Sequence, residues 1–121
     1  MLSILLVEDD VYLREIYETQ LAQDLNCKVS VAFSGNEAIH LLQENTSFNL
    51  IISDYSMPNG TGLDLLGYLE KNKANIPFYF YTGTIDLEVK TIYPVYKGLI
   101  HKFNYTELIS RILKDCSKEV L

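Results

Sequence analysis

Short apolar runs of strand length alternate with helical patterns from one end of this chain to the other. Between the runs, apolar residues recur at the spacing of amphipathic helices. Five such β/α units in a row predict an α/β fold with a doubly wound, five-stranded parallel sheet, helices on both faces and right-handed crossovers. The predicted strands are residues 3–7, 28–33, 50–53, 78–81 and 98–102.

Four of the predicted helices carry clear sequence signals. The first has apolar residues at helical spacing, namely Leu13, Ile16, Tyr17, Leu21 and Leu25. Side chains that cap helix N-termini stand at the expected starts. These are Asp10, Ser34 with Glu37, Thr61, and Asn104 with Glu107.

The segment 84–96 is the exception to this pattern. It is rich in β-branched residues, which lower helix propensity, and Pro94 limits how far a helix can run. We therefore expect the fourth of five helices to be short or irregular.

Composition and length narrow the class of protein. A chain of 121 residues with 48% hydrophobic and 21% charged residues fits one folded domain, residues 1–121. A net charge of −6, without a basic patch, argues against nucleic-acid binding.

No apolar stretch is long enough to span a bilayer, and no leader pattern is present at the start. Cys27 and Cys116 form no CxxC pair, so we expect reduced thiols and a cytoplasmic location.

Carboxylates end two of the predicted strands. Asp54 directly follows the run 50–53 and precedes a Pro/Gly-rich turn, while Glu8 and Asp9 follow the first strand. In the common doubly wound order 2-1-3-4-5 these strands are neighbours, so their ends converge at the switch point. Three carboxylates close together repel one another unless a cation is bound, and oxygen ligands suit Mg²⁺. The sequence predicts a magnesium site there.

Two further side chains are expected at the same edge of the sheet. The fourth strand leads into Thr82, and the fifth ends in Lys102. An acid as nucleophile, a metal, a hydroxyl and an ammonium suffice to receive a phosphoryl group and neutralise its oxygens.

At these positions the chain resembles the receiver domain of two-component response regulators. The matching segments are residues 5–10 (Leu-Leu-Val-Glu-Asp-Asp) and 53–58 (Ser-Asp-Tyr-Ser-Met-Pro), together with Gly62, Thr82 and Lys102. They occur in the order, and on the predicted strand ends, where that family has them. The resemblance implies a flavodoxin-like fold, and the 2-1-3-4-5 order rests partly on it.

The resemblance also implies a role for each matching residue. Asp54 would be the phosphoacceptor, receiving a phosphoryl group from the phosphohistidine of a histidine kinase or histidine phosphotransfer protein. Asp9, Asp54 and the backbone carbonyl of Ser56 would bind Mg²⁺, with Glu8 acting mainly through a water molecule. Lys102 would pair with one phosphoryl oxygen, and Thr82 would hydrogen-bond another. The domain would then signal to a downstream protein without turning over an external substrate as an enzyme does.

Two departures from the family pattern concern single residues. The family usually has proline in a cis peptide after the lysine, whereas Phe103 follows Lys102 here. A cis bond before a non-proline residue costs about 3–4 kcal/mol, so we predict a trans bond. The family also usually has an aromatic residue three positions before the lysine, where this chain has Leu99. Leucine has no aromatic ring to gate the space behind Thr82, which is how the threonine and the aromatic residue are usually coupled.

The segment 84–96 is the third departure, because receivers commonly contact partners there. Two interpretations of its apolar residues remain open. Tyr93, Val95 and Tyr96 could form an exposed contact patch, or they could pack on the core.

Three functions fit the sequence to different degrees. The preferred hypothesis is a phosphorylatable switch. Because Met1 directly precedes the first strand and Leu121 follows soon after the last helix, we expect a stand-alone receiver without an output domain. The alternative is a constitutive interaction module with a receiver fold. A Mg²⁺-dependent phosphatase is the weakest hypothesis, because Ser56 cannot supply the general acid expected close behind the nucleophile.

Overall fold

The computed structural model describes residues 2–45, 47–84 and 88–120, with side chains as far as residue 115. Strands and helices alternate as the sequence predicts, except that the described residues between the last two strands form no helix. In chain order the elements are β1 (Ser3–Val7), α1 (Val11–Leu25), β2 (Lys28–Ala32), α2 (Gly35–Glu44), β3 (Leu50–Ser53), α3 (Gly62–Lys71), β4 (Phe78–Thr82), β5 (Tyr96–His101) and α4 (Tyr105–Val120). None of the helices in the described ranges is long and apolar enough to cross a membrane.

The five strands form one parallel sheet in the order β2-β1-β3-β4-β5, which confirms the predicted fold class. The paired residues fix where the strands end. Val7 pairs with Ala32 on one side and with Ser53 on the other, and Thr82 pairs with His101. The carboxyl ends of the strands therefore lie along one edge of the sheet.

The core lies on both faces of the sheet, because the central strands are apolar along their whole length. β1, β3 and β4 are buried almost completely. One face packs against α1 and α4, and the other packs against α2 and α3. Tyr17, Leu21 and Leu25 bury the inner face of α1, but Ile16 is 49% exposed and lies outside that face.

The predicted caps hold the starts of three helices. Asp10 accepts from the amides of Tyr12 and Leu13 at the start of α1. Ser34 accepts from the amide of Glu37 at α2, and Thr61 forms a reciprocal capping box with Asp64 at α3. Each such cap contributes about 1 kcal/mol and sets the residue at which its helix begins.

The connection between β4 and β5 is irregular in the part that the structure describes. Residue 84 and residues 88–95 contain no helix, and Tyr96 begins the strand two residues earlier than predicted. The described residues of the predicted short or irregular fourth helix are irregular and form no helix. Residues 85–87 of that prediction lie outside the described part.

Tyr93, Val95 and Tyr96 pack on the core, whereas Ile92 in the same connection is exposed. Val95 is buried, and the Tyr93 hydroxyl donates to the backbone carbonyls of Leu69 and Ala74. The ring of Tyr96 lies 5.8 Å from that of Phe80, centroid to centroid. These contacts favour packing over an exposed patch made of the three residues.

Candidate functional site

The main chains of Glu8 and Asp54 are fixed by hydrogen bonds that extend the sheet by one residue. The Glu8 amide donates to the carbonyl of Ala32 (3.0 Å), and the Asp54 amide donates to that of Val7 (2.9 Å). Both carboxylates thus follow directly on buried, fully paired strands. The carboxylates lie at the strand ends because, in each segment, an apolar run that forms a buried strand changes abruptly to an acidic residue.

Glu8, Asp9 and Asp54 form one acidic cluster, as predicted. A carboxylate oxygen from each residue lies within 4.8 Å of the others. Glu8 is only 2% exposed, Asp54 is partly buried and Asp9 is exposed, so the cluster has a closed and an open side. Hard oxygen donors with an opening to water fit Mg²⁺, which usually keeps several of its waters. The side chains present therefore suit this ion.

Lys102 joins the cluster from the end of β5. Its Nζ atom lies 2.6 Å from Glu8 Oε1 and 2.8 Å from Asp54 Oδ2. Burial by itself would lower the pKa of Lys102, but the hydrogen bonds to Asp54 and Glu8 outweigh it and raise the pKa above its ordinary value. Lys102 is therefore a permanent cation beside two acids.

Glu8 is the most buried acid of the site. Desolvation raises its pKa above the ordinary 4.5, although Lys102 and the amide of Asp10 both act in the opposite direction. That amide donates to the second carboxylate oxygen, Oε2, at 3.1 Å. Both oxygens of Glu8 are thus engaged by neighbours within the chain.

Asp54 is held on its other side by the loop that follows β3. Its Oδ1 atom accepts from the amide of Tyr55 at 2.7 Å. The amide of Gly62 donates to the carbonyl of Tyr55, and the amide of Gly35 donates to that of Gly60, so the loop is tied to both α3 and α2. Ser56 is an exposed residue of this loop, and the role of its carbonyl as a metal ligand stays a prediction.

Thr82 lies at the same edge of the sheet, but its hydroxyl bonds elsewhere. The side chain is buried, and Oγ1 lies 3.2 Å from both the hydroxyl and the amide nitrogen of Thr84. Its backbone carbonyl accepts from the amide of Lys102. The Thr82 hydroxyl is thus bonded to the chain just beyond β4, and contact with a phosphoryl oxygen stays a prediction.

The two single-residue departures have different outcomes. The Lys102–Phe103 bond is trans, which confirms the prediction, and the Phe103 side chain is 86% exposed. Leu99 is partly buried against the core and pairs with Phe80 in the sheet.

Three features of the site were not predicted from the sequence. The first is the pairing of Lys102 with Glu8. The second is Arg14, whose guanidinium donates to the Glu8 carbonyl (3.4 Å) and stacks 4.0 Å from the centre of the Phe33 ring. The third is Tyr81, whose hydroxyl donates to the Lys102 carbonyl. No sequence motif indicates these three contacts, because each depends on where a side chain points.

Comparison with known proteins identifies the family. The sequence model of one protein family, the response regulator receiver domain, matches residues 4–113. The chain belongs to the response regulator receiver family. The resemblance seen in the sequence, and the two-component signalling class that it implies, are therefore confirmed.

The similar proteins are response regulators and related transcriptional regulators. The receiver is 36% identical to the probable transcriptional regulator ycf29 of Pyropia yezoensis, over 98% of this chain and 55% of that protein. It is 30% identical to the response regulator SaeR of Staphylococcus aureus, over 93% of this chain and 49% of that protein. The chain thus spans about half the length of these relatives.

Two solved structures agree with the fold over the whole receiver. The response regulator TrrA of Thermotoga maritima, in complex with Mg²⁺ and BeF, is 26% identical with a TM-score of 0.80, covering 100% of both chains. A complex of TrrA with the histidine kinase ThkA contains a chain that is also 26% identical. Its TM-score is 0.78, covering 100% of this chain and 99% of the other.

Proposed function

We propose that this receiver accepts a phosphoryl group on Asp54 from the phosphohistidine of a partner kinase, in the cytoplasm, and that the modification changes its affinity for another protein. One observation carries the proposal. The Asp54 carboxylate lies 2.8 Å from the Lys102 ammonium and within 4.8 Å of two further acids. That arrangement supplies a nucleophile, a cation and a set of metal ligands at one point on the molecule.

The acidic cluster supports a magnesium requirement. Asp9 and Asp54 would hold Mg²⁺ with the Ser56 carbonyl, and Glu8 would act through a bound water molecule. The ion would offset the charge of the phosphoryl oxygens and of the clustered acids. TrrA, a receiver of the same fold, has been solved with Mg²⁺ and BeF, which supports the same assignment here.

The residues of this chain would then act in defined ways. An Asp54 oxygen attacks the phosphorus atom as the bond from phosphorus to the donor nitrogen breaks, and that nitrogen keeps the electron pair. Lys102 is already charged beside Asp54 and would neutralise one phosphoryl oxygen without being protonated first. Thr82 would have to exchange its bonds to Thr84 for one to another phosphoryl oxygen.

The partner would be a histidine kinase or a histidine phosphotransfer protein. The complex of TrrA with the kinase ThkA supports the first of these. The net charge of −6 makes nucleic acid an unsuitable direct ligand for this part of the chain. All five strands form one sheet, so we propose that residues 1–121 work as a single receiver unit. It would modify itself rather than turn over an external substrate.

Incubation with acetyl phosphate and Mg²⁺ tests the proposal. Intact-protein mass spectrometry should show one added phosphoryl group in the wild type and none in Asp54→Ala. Asp10→Asn is a matched control, because it removes a nearby charge, retains a capping oxygen and lies outside the acidic cluster. This control should be phosphorylated like the wild type. A wild-type protein that binds Mg²⁺ but forms no adduct would contradict the proposal.

The switch is preferred to the constitutive interaction module because the chain belongs to the response regulator receiver family. A constitutive module would keep the same acidic pocket, so the contacts of Lys102 with Glu8 and Asp54 do not separate the two functions. The two functions differ in one measurable respect. A switch requires partner affinity to differ between the unmodified and phosphorylated proteins. A constitutive module requires equal partner affinity for the wild type and Asp54→Ala.

A further inference from the structure

We propose that Tyr81 is a positioning residue for Lys102, and that its buried hydroxyl holds the lysine backbone so that the ammonium reaches Asp54. The Tyr81 hydroxyl donates to the Lys102 carbonyl at 3.1 Å. Tyr81 does not contact the acidic cluster through this bond, so it would act through the lysine. The inference rests on the proposed function, because Lys102 would meet the phosphoryl group there.

Lys102 needs such support because it lies in a turn, beyond the last residue of β5. The amide of Asn104 donates to the carbonyl of His101 at 2.8 Å, which makes Lys102 and Phe103 the central residues of a β-turn. That turn bond uses neither polar backbone atom of Lys102. Phe103 is exposed and lacks the fixed φ angle of proline, so it adds little rigidity.

Strand β4 supplies both of the missing bonds. The Lys102 amide donates to the carbonyl of Thr82 at 3.1 Å, and the Lys102 carbonyl accepts from the hydroxyl of Tyr81. Two consecutive residues of one buried strand thus hold the lysine main chain at both ends. The side chain then reaches Glu8 and Asp54 from a fixed starting point.

Tyr81 is itself held firmly. Its side chain is 2% exposed, and its ring packs edge-on against that of Tyr17, with centroids 5.0 Å apart. Desolvation by burial raises the pKa of Tyr81 well above its ordinary value of 10.0, so the hydroxyl stays protonated and remains a donor. A donor placed by a packed ring is well suited to fix a loop carbonyl.

The test compares Tyr81→Phe with a matched control on the same strand. Tyr81→Phe removes the hydroxyl and keeps the ring. Tyr79→Phe makes the same change two residues earlier on the same face, where the hydroxyl bonds to the Arg111 carbonyl and to Asp115 in α4. Both variants lose one buried tyrosine hydroxyl, but only Tyr81→Phe releases Lys102.

Three quantities are measured in each variant. These are the Kd of Mg²⁺ alone, the Kd of beryllofluoride at saturating Mg²⁺, and the Lys102 ¹⁵Nζ resonance of the metal-free protein at fixed pH. Tyr81→Phe should weaken beryllofluoride binding by about two- to tenfold, the range of one net hydrogen bond. It should also shift or broaden the Lys102 resonance. Mg²⁺ should bind at least as tightly as in the wild type, because Lys102 competes with the ion for the same carboxylates.

Two results would overturn the inference. One is a Tyr81→Phe protein with wild-type beryllofluoride affinity and an unchanged Lys102 resonance. The other is an equal loss in Tyr81→Phe and Tyr79→Phe, which would show a general packing effect. A wild-type protein that binds Mg²⁺ but neither beryllofluoride nor a phosphoryl group would defeat the proposed function instead. The Lys102 resonance would still decide whether Tyr81 positions the lysine.

Discussion

The Lys102 ammonium lies closer to Glu8 (2.6 Å) than to Asp54 (2.8 Å), so one lysine neutralises a buried acid and the candidate phosphoacceptor together. All three side chains are at least 86% shielded from solvent by their surroundings, since their exposed fractions are 14%, 3% and 11%. In the protein without metal, Lys102 therefore acts as the cation that holds the acids together.

Removing this lysine should destabilise the metal-free protein and increase its response to Mg²⁺. Lys102→Ala leaves Glu8 and Asp54 without their shared partner, which should lower the free energy of unfolding by roughly 2 kcal/mol. Mg²⁺ should then stabilise the variant more than the wild type, because the ion no longer competes with an ammonium. Urea unfolding with EDTA and with Mg²⁺ measures both effects. Lys97→Ala, an exposed lysine of β5, is the control, and equal responses in the two variants would contradict the prediction.

The raised pKa of Glu8 predicts a pH-dependent effect of Glu8→Gln. In the folded protein this pKa lies above 4.5, so between 4.5 and the folded value the folded chain holds a proton that the unfolded chain has lost. This contribution to stability is fully present below pH 4.5 and is lost as the pH rises through the folded value. The stability of Glu8→Gln relative to the wild type should therefore increase from pH 4 to pH 7.

Urea unfolding in EDTA at several pH values measures that difference. Glu15→Gln removes one negative charge from an exposed position of α1 and serves as the control. A Glu8→Gln difference that stays flat or falls over the same pH range would show that Lys102 compensates fully for the burial of Glu8.

Asp9 should matter for metal binding more than for folding. It is the exposed member of the acidic cluster, whereas Glu8 is buried and paired with Lys102. Asp9→Asn should weaken Mg²⁺ binding at least about tenfold, with unfolding free energy in EDTA close to that of the wild type. Calorimetric titration measures the affinity. Asp10→Asn removes the neighbouring charge and retains a capping oxygen, so equal losses in both variants would point to general electrostatics instead of ligation.

The alternation of strands and helices followed from local sequence signals, whereas the strand order and the roles of the site residues rested partly on the family resemblance. Each inner strand is an apolar run, and the change from Ser53 to Asp54 marks both the end of β3 and the edge of the sheet. Caps such as Asp10 and Thr61 act within one helical turn, so they are also visible in the sequence. The predicted parallel order then brought Glu8, Asp54 and Lys102 together.

Side-chain direction could not be predicted in the same way. The Glu8–Lys102 pair joins distant parts of the chain, and the Thr82 hydroxyl bonds to Thr84, a choice made by local geometry after the fold has formed. Similarly, the β-branched residues of 84–96 argued against a regular helix without saying what replaces it. Tertiary packing of Tyr93 and Val95 on the core settles the described part.

Gly62 should be required for the loop that carries Asp54. A Cβ atom at this position would overlap the Asp54 carbonyl oxygen and lie 2.5 Å from a ring carbon of Phe80. Both neighbours are held by the sheet, so Gly62→Ala should force the loop away from β3. It should lower the free energy of unfolding by about 1–3 kcal/mol. It should also weaken Mg²⁺ binding, because the displaced loop carries Ser56, whose carbonyl is a predicted metal ligand, and the Tyr55 amide that holds Asp54 Oδ1.

Gly67 in the same helix provides the control for this substitution. A Cβ atom there would meet nothing within 4 Å, and alanine is the better helix former. Gly67→Ala should therefore raise the free energy of unfolding by about 0.5–1 kcal/mol and leave Mg²⁺ affinity unchanged. The two substitutions lie five residues apart in α3 and should change the free energy of unfolding in opposite directions. That result would show that the loss in Gly62→Ala comes from close packing against Asp54 and not from helix propensity. If both variants were more stable than the wild type, the loop after β3 could move to accommodate the added methyl group, and the prediction for Gly62 would be wrong.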